Sequence, residues 1–321
     1  MIIIKCSFQD YDKIVLLVVI KNNAHLTDTF IEIISDLMSS STKTQRTKKK
    51  LDLAQNDVHL WTTTPKDIAL NLDENNDLLL QYHALLTPEE TKKQQRYKFA
   101  EDRHAALVTR VFIRDLLSYY ADIAPQVWRF DKGEKDKPEI INPPIPLRFN
   151  ISHTKNLIIC AVTLNDDIGC DVENIERNNN VLAIAERYFS KQETTSLFTL
   201  PQAQQRDRFF DYWTLKESYI KAWGLGLSIP LGDFSFTIND QRLQHNSHFS
   251  VNKDIHLNFA EHRMDNNALW RSWIFYPMET AKNKVQHRIA ISLRAVSDNQ
   301  LTDYQFRFFK TTPLIGYEEL L

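Results

Sequence analysis

Glycine is unusually scarce in this chain, which limits where tight turns and close backbone contacts can form. Six of the 321 residues are glycine, whereas an ordinary protein uses it at about 7% of positions. Glycine has no Cβ atom and tolerates positive φ, so a chain that uses it this sparingly is expected to keep it where the backbone requires it. We therefore expect functional residues near four of them: Gly169, Gly224, Gly226 and Gly232.

The segments of the chain predict an N-terminal extension followed by two lobes. A length of 321 residues corresponds to two domains of roughly 150 residues each. Residues 2–4 and 14–20 read as short strands and 27–38 as a helix, before a polar stretch that ends in three lysines at 48–50. Such a stretch is typical of a solvated linker. We expect the extension and linker over 1–55, an N-terminal lobe over 56–165 and a C-terminal lobe over 166–321.

Capping signals predict three further helices. Thr87-Pro88-Glu89-Glu90 combines a capping box with proline at the first helical position, and its helix is expected to continue to about Ala121. Ser190-Lys191-Gln192-Glu193 is a second capping box. The third helix is expected over 205–223, because glycine at 224 is a common C-cap. The first helix carries an apolar stripe at spacings of three and four, formed by Leu107, Val108, Val111, Phe112, Leu116 and Tyr119.

Alternating or continuous apolar runs predict a set of strands. They cover 147–151, 157–164 and 168–173, then 234–238, 270–276 and 287–293. The helices and strands do not alternate regularly, as they would in a parallel βαβ protein, so the sequence predicts an α+β fold.

Composition and missing motifs exclude several classes of protein. The formal net charge is −2, which argues against a nucleic-acid binder dominated by electrostatics. No apolar run approaches the roughly 20 residues that span a bilayer, and Asp10 and Asp12 precede the first long run, where a signal peptide carries basic residues. The three cysteines form no CxxC pair, which favours a reducing, cytoplasmic location. The motifs of P-loop NTPases, dinucleotide-binding enzymes, serine hydrolases and zincins are absent from the sequence.

Two carboxylates share one face of the strand that contains Gly169. Side chains alternate along a strand, so Asp171 and Glu173 lie on the same side as Gly169. Adjacent carboxylates repel each other unless a cation lies between them, and Mg²⁺ prefers such oxygen ligands. The segment is therefore either a metal site or an ordinary solvated face of an edge strand.

A third carboxylate and a lysine lie on the apolar stripe of the third helix. At 100° per residue, Glu217 and Lys221 share a face with Phe210, Trp213 and Ile220. They form either a surface pair worth about 0.2–0.5 kcal/mol or a buried pair in a cleft, which requires a charged partner or a metal. We favour the cleft, because a surface pair would leave the large aromatic side chains in water.

A hydroxyl and an imidazole follow each other in Ser152-His153. Neighbours on a strand point in opposite directions, which is unsuitable for a nucleophile and its base. The two side chains suit phosphate or ribose binding, and a structural role for the histidine is the alternative.

Taken together, these segments resemble the Sfp-type 4′-phosphopantetheinyl transferases. The resemblance covers roughly residues 56–321, and its specificity comes from the order of the motifs rather than from any single one. Residues 1–55 have no recognised counterpart. The matching segments are Phe149-Asn150-Ile151-Ser152-His153, Gly169-Cys170-Asp171-Val172-Glu173, Trp213-Thr214-Leu215-Lys216-Glu217-Ser218-Tyr219-Ile220-Lys221 and Gly224-Leu225-Gly226-Leu227, with Thr87-Pro88-Glu89 upstream and Tyr317-Glu318-Glu319-Leu320 at the end.

The resemblance implies a reaction, a fold and a set of partners. Members move 4′-phosphopantetheine from coenzyme A (CoA) to a serine of an apo acyl, peptidyl or aryl carrier protein, with Mg²⁺ or Mn²⁺, and release adenosine 3′,5′-bisphosphate. Their carriers serve fatty-acid, polyketide, nonribosomal-peptide or lysine pathways. Their fold has two α/β lobes related by a pseudo-twofold axis, with CoA in the cleft between them. A cytoplasmic monomer without nucleic-acid or membrane partners is expected.

The resemblance also implies roles for individual residues. Asp171, Glu173 and Glu217 look like metal ligands, with Glu173 bound directly or through water. Glu217 looks like the base for the carrier serine, and Lys221 like a catalytic residue that offsets charge on the leaving phosphate. The expected CoA contacts are Lys93, Arg103, Lys137, Ser152, His153 and Lys221.

Three positions depart from the family pattern. The Gly-Lys-Pro turn is stretched over 133–138, so Lys135 is an alternative to Lys137 as the CoA contact. Cys170 replaces an aliphatic residue and is expected to be a buried thiol. Glu90 stands where relatives often have a basic residue, which affects the contacts expected for the 3′-phosphate.

Two other functions stay open from the sequence. A metal-dependent phosphodiesterase could use the same carboxylates to hydrolyse CoA or a nucleotide without a carrier protein. A non-catalytic protein that binds CoA or a carrier could retain the fold, although it would have no need of Asp171, Glu173, Glu217 and Lys221 together.

Overall fold

The structure is a computed structural model that describes residues 50–68, 76–133, 137–177, 179–239, 241–263, 265–278, 286–296 and 303–321. The chain divides into two units, 1–49 and 50–321, and the first lies outside the described residues. The strands and helix expected at 2–4, 14–20 and 27–38 therefore lie outside them as well. Among the described residues, no helix combines the length and apolar character needed to cross a membrane.

The first sheet has five strands and includes the end of the chain. In spatial order they are β14 (Gly316–Glu319), β13 (Gln305–Thr312), β1 (Asp57–Thr63), β5 (Leu157–Leu164) and β4 (Leu147–Thr154). β1 and β13 are parallel, and the other pairs are antiparallel. The sheet thus takes strands from both of the expected lobes.

Helices cover the outer face of this sheet. They are α1 (Asn76–Ala84), α2 (Pro88–Gln95) and α3 (Ala100–Leu117). The predicted stripe of α3 is buried from Leu107 to Tyr119 and packs with Trp61 of β1 and Phe149 of β4 in one core. A short hairpin of β2 (Phe130–Lys132) and β3 (Pro138–Ile140) follows.

The second sheet also has five strands and is antiparallel throughout. In spatial order they are β6 (Asp167–Asn174), β12 (His287–Arg294), β11 (Trp270–Pro277), β9 (Phe249–Asn252) and β8 (Leu243–Gln244). A separate ribbon joins β7 (Phe234–Ile238) and β10 (Ile255–Phe259).

A long helix lies against the second sheet. Helices α4 (Val181–Tyr188) and α5 (Lys191–Thr199) lead into α6 (Gln202–Trp223). α6 packs on β6 and β12, and its buried residues contribute to a core with the β7–β10 ribbon. A third core lies between the two sheets and joins β1 and β5 to β6, β11 and β12. The predicted α+β fold is confirmed.

The first predicted helix is interrupted, which corrects the expectation of one helix from the Thr87 cap to Ala121. α2 ends at Gln95, and Phe99 has an extended backbone that starts α3. Arg103 Nη1 donates to the carbonyls of Tyr97 and Lys98, at 2.9 and 3.0 Å, and so satisfies oxygens that the break leaves without helical partners. The apolar periodicity of α3 does not predict this break. The break is stabilised by the Arg103 side chain, which donates to carbonyls that precede its own helix.

The other local predictions agree closely with the structure. Both capping boxes form. Helix α6 ends at Gly224, whose φ of +75° is left-handed and whose N–H donates to the carbonyl of Ile220. Glycine fits this position because the left-handed conformation costs other residues about 1–2 kcal/mol. Cys170 is fully buried, as expected.

Candidate active site

The candidate site lies where the edge strands of the two sheets meet. Each edge strand has backbone groups that its own sheet does not pair. Here Asn150 Oδ1 of β4 accepts from the N–H of Cys170 at 2.9 Å, and Ser152 Oγ accepts from the N–H of Val172 at 3.3 Å. Side chains of β4 thus satisfy the free edge of β6 and hold the two sheets in register.

Gly169 brings helix α6 unusually close to strand β6. A Cβ atom at this position would lie 2.0 Å from the carbonyl oxygen of Ser218 and 2.3 Å from the backbone nitrogen of Ala222. No side chain fits in that space, so glycine is required here. The face of β6 that carries Asp171 and Glu173 is therefore covered by α6, and both side chains are buried. This excludes a solvated strand face.

The Asp171 carboxylate forms the centre of a charged cluster. Its Oδ1 lies 2.6 Å from Lys221 Nζ and accepts a hydrogen bond of 2.9 Å from Ser152 Oγ. Lys221 Nζ also donates to Ser152 Oγ at 2.8 Å. The buried Oδ2 of Asp171 has no hydrogen-bond partner in the described part of the chain. One carboxylate oxygen is thus held by the protein, and the other keeps its capacity to accept a bond.

Glu217 is half-buried one turn before Lys221. Burial raises the pKa of its carboxyl group, the Asp171 carboxylate raises it further, and Lys221 opposes both effects. Burial alone would lower the pKa of Lys221, but the nearby Asp171 outweighs it and the pKa is raised. A carboxylate with a raised pKa is better suited to accept a proton than an ordinary surface carboxylate is. Glu217 and Lys221 are both partly buried, which argues against an open-surface pair, and their place in a cleft stays a prediction.

Glu173 is held from two sides. Its Oε1 accepts a hydrogen bond of 3.2 Å from Trp213 Nε1, and its Oε2 lies 3.0 Å from Arg177 Nη1. Burial and the Asp171 charge raise the pKa of Glu173 to about 7, although Arg177 acts in the opposite direction.

The donor chemistry of the cluster suits a divalent cation. The Asp171 carboxylate raises the pKa of both Glu173 and Glu217, and its Oδ2 is buried without a partner among the described residues. Oxygen donors of this kind are the ligands that Mg²⁺ prefers. Within the same residues, no three histidine, cysteine, aspartate or glutamate side chains converge closely enough to hold a metal ion. The residues fit the metal by their chemistry, while their side chains do not surround one point.

A basic cleft of about 1570 Å³ runs from α2 and α3 to the end of β4. It is lined mostly by residues of the first half of the chain, together with Arg177, which also contacts Glu173. Arg177 thus connects the cleft to the carboxylate cluster, whereas Asp171, Glu173 and Glu217 are not among the residues that line the cleft. Its cationic lining suits a phosphorylated ligand and comprises Lys66, Lys92, Lys93, Arg96, Arg110, Arg114, Arg129, Lys132, Lys155 and Arg177.

The residues expected to bind CoA occupy four kinds of position. Lys93 and His153 line the cleft. Ser152 points the opposite way from His153 and contacts Asp171 and Lys221. Arg103 is not among the lining residues, and its Nη1 binds the carbonyls between α2 and α3.

Lys137 lies at the C-terminal end of α6 rather than in the lining of the cleft. Its Nζ donates to the carbonyl of Ala222 at 2.9 Å and approaches that of Ile168 at 3.5 Å. Burial lowers the pKa of Lys137. Its alternative, Lys135, lies outside the described residues. The contacts of Lys137 and Arg103 with CoA stay predictions.

Glu90, which stands where a basic residue is expected, is neutralised by arginine side chains of α3. Glu90 Oε2 lies 2.9 Å from Nη2 of the buried Arg114, and Glu90 Oε1 lies 3.9 Å from Arg110 Nε. Glu90 also accepts from the N–H of Thr87 in the capping box. The negative charge is thus offset by α3.

The sequence analysis missed Arg177 and gave no role to Asn150. Arg177 is four residues after Glu173 and outside every motif that carried the family resemblance. Asn150 lies within such a motif, but its contact with Cys170 joins two separate sheets. No local pattern predicts such a contact.

Comparison with known proteins identifies the family. Residues 74–165 match the family model of the N-terminal part of 4′-phosphopantetheinyl transferase, and residues 167–275 match that of the 4′-phosphopantetheinyl transferase superfamily. The chain is 33% identical over 180 residues to the 4′-phosphopantetheinyl transferase HetI of Nostoc sp. (strain PCC 7120), covering 56% of this chain and 73% of that protein. It is 35% identical over 174 residues to the 4′-phosphopantetheinyl transferase Sfp of Bacillus subtilis (strain 168), covering 54% and 74%.

A third relative, the 4′-phosphopantetheinyl transferase ffp of Bacillus subtilis, is 36% identical over 168 residues, covering 52% of this chain and 71% of that protein. With the matching models and the ordered motifs, these similarities place the chain in the 4′-phosphopantetheinyl transferase family. The enzyme class predicted from the motifs is confirmed.

Proposed function

We propose that this enzyme transfers 4′-phosphopantetheine from CoA to a serine hydroxyl of an apo acyl, peptidyl or aryl carrier protein. The serine oxygen forms a bond to the phosphorus atom that carries pantetheine. The bond from that phosphorus to the bridging oxygen breaks, and adenosine 3′,5′-bisphosphate leaves with the electron pair. The serine proton passes to a base of the enzyme.

The observation that supports this proposal most strongly is the cluster of Asp171, Glu217 and Lys221 beside a large basic cleft. The cations of the cleft suit the phosphates of CoA. A base and a cation next to the end of such a cleft are what a phosphoryl-transfer site requires. Membership of the family supports the same reaction.

Glu217 is our proposed base, acting directly or through a bound water. Its carboxylate is half-buried and its pKa is raised, so it can accept the serine proton as the new bond forms. Lys221 would place positive charge near the leaving phosphate, and preorganised charge of this kind stabilises a developing anion. Ser152 holds Lys221 and Asp171 together through its hydroxyl.

We propose that Asp171, Glu217 and Glu173 hold a magnesium ion, with manganese as a substitute. The metal when bound would neutralise charge on the pyrophosphate. Asp171 Oδ2 supports this assignment because it is buried and has no partner in the described residues. Glu173 has a fixed orientation, since Trp213 and Arg177 each hold one of its oxygens.

We propose that the cleft binds the adenosine bisphosphate part of CoA. Lys93 and His153 line it and are our candidates for phosphate contacts, with Lys137 and Arg103 as further predicted contacts. Arg110 lines the same cleft beside the neutralised Glu90. It could supply the charge that a basic residue at position 90 supplies in relatives.

The test is the intact mass of apo carrier proteins after incubation with this protein, CoA and Mg²⁺. One acyl, one peptidyl and one aryl carrier would be compared. We expect at least one to gain the mass of a phosphopantetheinyl group, and EDTA to abolish the gain. A carrier with its acceptor serine changed to alanine is the matched control. If no carrier gains mass although CoA binding is shown, the proposed transfer is wrong.

The same assay separates the transfer from the alternatives. Release of adenosine 3′,5′-bisphosphate without a carrier would indicate a phosphodiesterase. CoA binding without any release would indicate a non-catalytic protein.

We also propose a cytoplasmic monomer. The two described cysteines, Cys160 and Cys170, are free buried thiols, as a reducing compartment allows, and size-exclusion chromatography with light scattering would test the monomer.

A further inference from the structure

A fully buried ion pair joins helix α6 to helix α5 next to Glu217 of the candidate site. Lys216 Nζ is 2.8 Å from Glu193 Oε2, and neither side chain is exposed to solvent. Lys216 is the residue before Glu217, in the motif that supports the family resemblance, and the proposed function gives it no role.

Every donor and acceptor of this pair is used. Lys216 Nζ donates its other two protons to the carbonyls of Leu231 and Phe234, each at 2.7 Å. Glu193 Oε1 accepts from the N–H of Phe236 at 2.9 Å. Its Oε2 also accepts from the N–H and hydroxyl of Ser190, at 3.1 and 2.9 Å.

These bonds fix helix α6 to two other elements. Ser190 and Glu193 form the N-terminal cap of α5, and Leu231, Phe234 and Phe236 belong to the segment that enters and forms β7. A lysine with three directed bonds tolerates neither rotation nor sliding of its helix, because either movement would break bonds to buried groups.

The direction of Lys216 also fixes the direction of Glu217. Successive side chains of a helix point 100° apart, and Lys221 follows Glu217 by one turn. A rotation of α6 about its axis would therefore move both Glu217 and Lys221 away from Asp171. Lys221 Nζ and Asp171 Oδ1 are only 2.6 Å apart, so a small movement is enough to separate them.

We propose that the Glu193–Lys216 pair is a positioning device for the transfer reaction. It sets the rotation of α6 so that Glu217 and Lys221 face Asp171. Its members touch neither substrate nor metal. The inference depends on the proposed function, because it assumes that Glu217 and Lys221 act in the reaction.

The test compares Lys216→Met with Asp166→Ala, a buried polar control outside α6. Asp166 accepts from the N–H of Val296 at 3.0 Å and from the Tyr304 hydroxyl at 2.8 Å. Both variants lose hydrogen bonds of a buried charged group, and both should have a lower Tm. kcat, the KM for CoA and Mn²⁺ affinity by electron paramagnetic resonance would be measured at a temperature where both are folded.

Lys216→Met should lower kcat by roughly tenfold or more, because a displacement of about 1 Å at a reacting group can cost about 100-fold in rate. It should change Mn²⁺ affinity, because Glu217 and Lys221 both move relative to Asp171, and it should change the KM for CoA less than kcat, since the basic cleft is formed by other elements. Asp166→Ala should lower the Tm but keep kcat within about twofold. If Lys216→Met loses Tm and keeps both kcat and Mn²⁺ affinity, the pair is merely structural and the proposal is overturned.

Glu193→Gln is measured in parallel and decides the question if Lys216→Met does not fold. It keeps the shape and the acceptor oxygen but removes the charge. A kcat that is reduced by more than the KM for CoA changes supports the proposal, and an unchanged kcat overturns it. Glu217→Gln in the same assay distinguishes a failure of the site assignment from a failure of this inference alone. If it stays fully active, the site assignment fails together with this inference. If it is inactive while Lys216→Met and Glu193→Gln are fully active, this inference alone fails.

Discussion

Lys221 Nζ lies 2.6 Å from Asp171 Oδ1 and so connects the last turn of α6 to the edge strand β6. The ammonium group neutralises a carboxylate that is 4% exposed and has two further carboxylates near it. A buried carboxylate cluster is stabilised by such a cation when no metal is bound, and otherwise takes up a proton. The ammonium and a metal ion would then compete for the same negative charge.

This competition gives the first prediction, for Lys221→Met. The variant should bind Mn²⁺ more tightly than the wild type in the absence of CoA, because the competing cation is gone. Its kcat should fall by roughly 100-fold, since the charge at the leaving phosphate is lost. Its Tm without metal should fall, and Mn²⁺ should restore part of the loss. Mn²⁺ titration, kinetics and thermal unfolding test these points. Weaker Mn²⁺ binding would contradict the competition.

The contact at Gly169 gives the second prediction, with a matched control in the same chain. Gly169→Ala should destabilise the protein by about 1–3 kcal/mol or more, because the new methyl group would overlap the backbone of α6. It should also lower kcat by moving Glu217 and Lys221 away from Asp171.

Gly232→Ala is the control, because a Cβ at that position would meet no atom within 4 Å and its φ is not positive. Its free energy of unfolding should stay within about 0.5 kcal/mol of the wild type. Denaturant unfolding and kcat would be measured for both variants. A Gly169→Ala protein as stable and active as Gly232→Ala would contradict the close approach of α6.

Lys137 gives the third prediction, because its ammonium binds the C-terminal carbonyls of α6. Lys137→Met keeps the apolar part of the side chain and removes these bonds. It should lower the free energy of unfolding by about 0.5–1.5 kcal/mol. The measurement is denaturant unfolding, with the KM for CoA determined alongside and Lys93→Ala as the comparison.

Lys93 lines the cleft and is exposed, so Lys93→Ala should raise the KM for CoA without a change in stability. A Lys137→Met protein with lowered stability and an unchanged KM would restrict Lys137 to the capping of α6. A raised KM would support its predicted contact with CoA as well. Unchanged stability would contradict the capping contact.

A buried histidine gives the fourth prediction, on the pH dependence of stability. Burial, together with the charge of Arg307, lowers the pKa of His59 to about 4. In the unfolded chain the pKa is near 6.5, so between these values the unfolded state binds more protons and stability falls as the pH falls. The full effect of one such shift is about 3 kcal/mol.

His59→Phe should reduce the loss of stability between pH 6.5 and 4. Phenylalanine keeps ring contacts with Tyr120 and Phe309 and cannot take up a proton. Urea unfolding at several pH values would compare the slopes of the two proteins. Equal slopes over this range would show that His59 is not protonated on unfolding.

Local signals in the sequence determined most of the elements and the chemical groups of the site. Both capping boxes and the Gly224 helix end depend on interactions within a few residues. The strands 157–164 and 234–238 were indicated by local apolar patterns, although distant strands pair with them. Strand alternation was sufficient to place Asp171 and Glu173 on the side of Gly169. The ordered motifs indicate the family without any tertiary contact.

The tertiary structure decided which partner each charged side chain has. Lys137, predicted to contact CoA, binds the end of α6, and Arg103 binds the break between α2 and α3. Lys216 was part of a motif, but only the packing of α5, α6 and β7 shows that Glu193 and two carbonyls surround it. The sequence specifies the charged side chains themselves, and patterns that repeat over a few residues indicate which helix or strand carries them. It does not specify their partners, because these contacts form between residues that folding alone brings together.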